Sequence, residues 1–150
     1  MLIDPDNKIM QKCAQGMEAE GLGNIELARK LFQEAWADAD TEFERFVTAH
    51  YMARNQEDTR EELRWNLESL RWATSIQGDG MKVYFPSLHL NAGKTYEKLD
   101  DKENAQLHYK SAAGYLEFLP DEGYGNMIRN GIVAALSRFP DIDLPKFTTH

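Results

Sequence analysis

The chain has 150 residues, 42% of them hydrophobic and 28% charged, with a formal net charge of −8 and one cysteine. That length suffices for one domain with its own core. The acidic balance argues against a generic nucleic-acid or anionic-membrane surface, and a single cysteine excludes an intramolecular disulfide framework. Acidic residues near the start, where a signal peptide would be basic, and the lack of a long apolar run lead to the expectation of a cytoplasmic protein with neither nucleic-acid nor membrane partners.

Helical periodicity dominates from the start. Ile9, Met10, Cys13 and Met17 recur at helical spacing over about Asn7 to Glu20, and Gly21 and Gly23 stop that helix. Asn24 is a plausible cap for a second helix, about Ile25 to Asp38, which completes a hairpin over about 7–39. The stretch TEFERFVTAHYMARN and a long helix from about Thr59 to Ile76 make a second hairpin over 41–76, with Asp58 and Glu61 at capping-box spacing. In that long helix Leu63, Leu67 and Leu70 share one face while Trp65 and Trp72 lie on the other. Gly78 and Gly80 break the chain. A third hairpin is expected over 82–118, with Pro86 in its first turn and Asp100 to Asn104 in its bend. Pro120 and Gly123 end it, a last helix runs over 124–138, and the proline-bearing tail 140–150 is expected to be extended or disordered.

Two of the hairpins are related. Gly93 is followed at three, twelve, sixteen and nineteen residues by Tyr96, Ala105, Tyr109 and Ala112, and the same offsets from Gly16 reach Ala19, Ala28, Phe32 and Ala35. Where helices cross closely, only Gly or Ala leaves room for the neighbouring backbone, and an aromatic fills the wider gap beside it. This pattern resembles the long-helix type of the tetratricopeptide repeat. The resemblance implies an all-α fold: a right-handed α-solenoid of about three helix-turn-helix hairpins plus a C-terminal capping helix, filling residues 1–139.

The residues offer little chemistry of their own. His50, His89 and His108 occur without Glu-x-x-His, H-E-x-x-H or Cys-x-x-Cys spacing, so they read as scattered surface or groove histidines rather than metal ligands. Cys13 shares a helical face with Met10 and Met17 and reads as a small hydrophobe. Without a strand there is no frame for a dinucleotide fold, and the expectation is a non-enzyme with no cofactor and no metal.

The family resemblance implies that function lies on the first helix of each hairpin, which lines a concave groove. The residues carried over to that groove are Met10, Cys13 and Met17 as a soft apolar wall, His50 and Arg54 in the middle, Leu90, Asn91, Lys94 and Lys98 in the third hairpin, and Arg129 in the cap. Cations gathered in one groove of an acidic protein would attract a carboxylate or an acidic peptide. The expected role is a scaffold or adaptor that binds a protein or peptide segment. The alternatives are a ligand-responsive sensor, or a self-assembly module dimerising through Trp65 and Trp72. The Lys and Asn by which some members of this family clamp a C-terminal carboxylate are replaced here by Cys13 and Met17.

Overall fold

A computed structural model describes residues 4–139, and these are all-helical, with no strand among them. The α-helices are α1 (Lys8–Gly21), α2 (Ile25–Asp38), α3 (Glu42–Ala53), α4 (Thr59–Ser75), α5 (Phe85–Lys98), α6 (Lys102–Ala113) and α7 (Gly123–Ser137). Single 3-10 turns at Asp79–Met81 and Leu116–Phe118 flank the α5–α6 hairpin. No helix among the described residues is long and apolar enough to cross a membrane. The tail 140–150 lies outside them. The chain forms two compact units, Met1–Ile76 and Gln77–His150.

In the first unit α1 pairs with α2 and α3 with α4, and α3 also packs on α1 and α2. Asn7 opens α1 by accepting hydrogen bonds from the Ile9 and Met10 amides, and Asn24 caps α2 through the Leu27 amide at 3.2 Å. Gly16 is where the first pair crosses. A Cβ there would stand 2.4 Å from Phe32 Cε1, and Phe32, itself fully buried, stacks on Tyr51 of α3.

The same contact recurs in the second unit, where α5 pairs with α6 and α7 packs on both. A Cβ on Gly93 would stand 2.5 Å from Tyr109 Cε1. The bends correspond too. Residues 22–24 and 99–101 each place a positive-φ residue before the cap, Gly23 at 83° before Asn24 and Asp100 at 59° before Asp101. Aspartate tolerates the left-handed region that glycine enters freely, which keeps one bend geometry with two sequences.

The middle hairpin departs from this scheme. Its bend runs over 54–58, two residues longer than the other two, so the offsets that relate the outer hairpins cannot hold in it. Between its helices the buried Ser69 of α4 donates its hydroxyl to the Phe46 carbonyl of α3 at 3.0 Å. The capping box expected from Asp58 and Glu61 does not form: Asp58 caps the Arg60 amide instead of that of Glu61, and Glu61 turns to Arg64. A complete box stands at Thr41 and Glu44 instead.

Two boundaries also differ from expectation. The α6 helix stops at Ala113 rather than running on toward Phe118, and Gly123 begins α7 rather than ending the preceding segment. The adjacent chain crosses α7 at Gly125, where a Cβ would fall 1.8 Å from the Pro120 carbonyl oxygen, so this position requires glycine. Trp65 is buried, its ring edge-on to Trp36 of α2 at 4.9 Å, and Trp72 is half-buried beneath the Arg45 and Arg71 guanidinium groups.

Candidate functional site

The α5 helix places Lys94, Glu97 and Lys98 one turn apart on one exposed side. Its other sides are committed inward, because Leu90 and Gly93 pack toward α6 and α7, with Leu90 Cδ2 only 3.1 Å from where a Gly131 Cβ would be. That packing delivers Arg138, the residue capping the end of α7, to the same side of α5. The four residues Lys94, Glu97, Lys98 and Arg138 line an open depression of about 350 Å³.

Glu97 is the fixed point of this site. Its carboxylate accepts from Arg138 Nη2 at 2.8 Å and Nε at 3.0 Å, and from the Tyr109 hydroxyl at 2.7 Å. The Arg138 hydrogen bonds hold the Glu97 carboxyl below its ordinary range despite partial burial, and the same pairing raises Arg138. Tyr109 is pushed up, first by burial and then by donating to Glu97. Lys94 and Lys98 are exposed. The lining of the depression thus brings three cations and one carboxylate together on a chain whose net charge is −8.

The first unit repeats this clasp without the lysines. Glu20, 77 residues before Glu97, pairs through both oxygens with Arg54 and accepts from Asn55 Nδ2 at 2.7 Å. Arg54 is held by a carboxylate just as Arg138 is, but no lysine stands beside it in the lining of its notch. The notch beside it, lined by Arg29, Phe32, Gln33, Tyr51, Met52, Arg54 and Gln56, is about 60 Å³, room for a few waters.

The other expected groove residues divide by burial. Met10, Cys13 and Leu90 are core residues, at 2%, 0% and 3% exposure, and present no apolar wall. Burial pushes the Cys13 thiol up to about 12, so it is no nucleophile at neutral pH. Met17 is exposed, and its sulfur accepts from the Tyr51 hydroxyl at 3.0 Å. Asn91 is half-buried and does not line the depression. Arg129 turns to Asn126 and to the Leu116 carbonyl. His50 is held neutral, its imidazole lowered to about 4, chiefly by burial and then by Arg54. Among the described residues its Nδ1 is buried without a hydrogen-bond partner.

Compared with known proteins, the chain matches no family model, no curated protein and no solved structure. The geometry of its own residues therefore carries any functional reading.

The histidines are not all scattered. His89 of α5 and His108 of α6 face each other with their Nδ1 atoms 3.0 Å apart, flanked by Tyr96 and Tyr115. Among the described residues no three or more His, Cys, Asp or Glu side chains gather as a metal site would require. Arg138 is the site residue that the sequence did not single out. Its signal was a cation at the end of the last helix, a place where the macrodipole alone accounts for one.

Proposed function

We propose that the chain is a non-catalytic binding module built of tetratricopeptide-like hairpins, and that it holds an acidic protein segment at the depression formed by Lys94, Lys98 and Arg138. The observation that carries this reading is the gathering of three cations around one carboxylate in an open depression of an acidic chain. Glu97 fixes Arg138 in place beside Lys94 and Lys98, two exposed lysines on flexible stems. The repeated Gly–aromatic crossing supports the kinship of the two outer hairpins with that repeat class.

A labelled peptide rich in Asp and Glu, titrated by fluorescence polarisation, tests the proposal. The pair Lys94→Glu, Lys98→Glu should lower its affinity at least tenfold. The pair Lys30→Glu, Lys110→Glu changes the net charge equally at exposed lysines elsewhere and should leave the affinity within about twofold. Equal losses from both pairs, or no binding by the native chain at low salt, would overturn it.

A further inference from the structure

The depression does not use the histidine pair. His89 and His108 bring like atoms together, Nδ1 to Nδ1 at 3.0 Å, and their ring centroids are 5.2 Å apart. The two nitrogens therefore lie close to the line joining the ring centres, aimed at one another. That leaves room for one proton between them. A divalent ion would need both lone pairs turned toward a common point off that line.

The hydrogen bond restricts the protons the pair can hold. In the neutral pair one ring carries Nδ1–H and donates it, while the other accepts on its Nδ1 lone pair and carries its proton on Nε2. A first added proton enters at Nε2 of the donating ring and leaves the N–H···N bond intact. A second must enter at the accepting Nδ1, where the neighbour's N–H already points. Two N–H groups cannot face each other at that distance, so the second proton requires the rings to part.

Aromatic rings flank the pair. Tyr96 from α5 stacks on His108 with centroids at 5.4 Å, Tyr115 beyond α6 stacks on His89 at 6.2 Å, and Phe85 leans on both His89 and Tyr115. Those two tyrosines are titratable groups whose rings stack on the pair. Burial is the first cause acting on both rings, and on His89 the neighbouring His108 adds to it. Both imidazoles are lowered, His89 to about 4, in keeping with a half-buried pair of like groups.

We propose that His89 and His108 form a proton-operated latch between α5 and α6, closed by one proton shared between the two Nδ1 atoms and opened when acid forces a second proton into that contact. Opening separates the helices along the Phe85–His89 and His108–Tyr115 side. The latch does not rest on the binding function proposed above.

The test is an NMR titration of the whole chain from pH 8 to 3.5, following the imidazole resonances and the α5 and α6 amides, beside His108→Gln. Glutamine keeps a hydrogen-bonding group opposite His89 but takes no charge. The native pair should titrate below 6 in coupled steps, and the amides of both helices near the pair should broaden over the same range. In His108→Gln that broadening should vanish. Independent titration of both rings near 6.5, or unchanged amide broadening in the variant, would overturn the latch. Should the variant fail to fold at pH 7, the native titration decides alone, coupled steps sustaining the proposal and independent ones overturning it.

Discussion

At the scale of single residues, two glycines decide how closely the outer hairpins close. A methyl at Gly16 or Gly93 would meet the ring of Phe32 or Tyr109 at 2.4 and 2.5 Å, and both rings are buried with nowhere to retreat. Overpacking of this kind costs about 1–3 kcal/mol, while replacing a helical glycine by alanine returns up to about 1 kcal/mol. The first effect wins. Gly16→Ala and Gly93→Ala should each lose roughly 1–2 kcal/mol in urea denaturation. Gly21→Ala, where a Cβ meets nothing within 4 Å, should be neutral or slightly stabilising. The crossing was legible in the sequence because its geometry admits so few residue types. The site was legible only in part: Lys94 and Lys98 share a helical side by spacing alone, but periodicity cannot tell a core face from a groove face. That is why Met10, Cys13 and Leu90 read as a ligand wall and proved to be core.

At the scale of elements, the helices follow the apolar periodicity closely and their ends follow it less well, because ends depend on single side chains competing for exposed backbone groups. The middle hairpin shows this. Its five-residue bend breaks the offsets of the outer hairpins, and a buried serine, Ser69, bonds across it to the Phe46 carbonyl, a change that no spacing from Gly16 or Gly93 could reveal. The caps can be weighed against each other. Thr41 accepts from the Glu44 amide, and Glu44 returns bonds to the Thr41 and Asp40 amides while also accepting from Asn7, the cap of α1. Glu61 meets only Arg64, and both are exposed. Thr41→Ala should therefore cost about 1 kcal/mol. Glu44→Ala should cost more, because it loosens the starts of α1 and α3 together. Glu61→Ala should change stability by less than about 0.5 kcal/mol. Urea midpoints of the three variants would show this order, and equal values would refute the assignment of the box to Thr41 and Glu44.

At the scale of the whole molecule, acid should act on the two units through different groups. All three tryptophans, Trp36, Trp65 and Trp72, lie in Met1–Ile76, so tryptophan fluorescence reports that unit alone. It contains Glu20, Glu44 and Glu68, each held below the ordinary carboxyl value by hydrogen bonds from Arg54, Asn7 and Arg71 in turn. It also contains His50, lowered from 6.5 to about 4 by burial. The signs agree. A depressed carboxylate stabilises the fold above its unfolded value of 4.5, and that contribution is lost as pH falls through the folded value. A histidine kept neutral costs nothing above 6.5, but below it the unfolded chain takes up a proton that the folded chain refuses, so stability falls from 6.5 toward 4. The fluorescence-detected urea midpoint should therefore be flat above pH 7, decline between 6.5 and 4, and drop again below 4.5 as the carboxylates protonate. The first decline belongs to His50 and should amount to about 3 kcal/mol. His50→Gln should remove that decline and keep the drop below 4.5, whereas an unchanged profile would mean that the imidazole ionises as freely folded as unfolded.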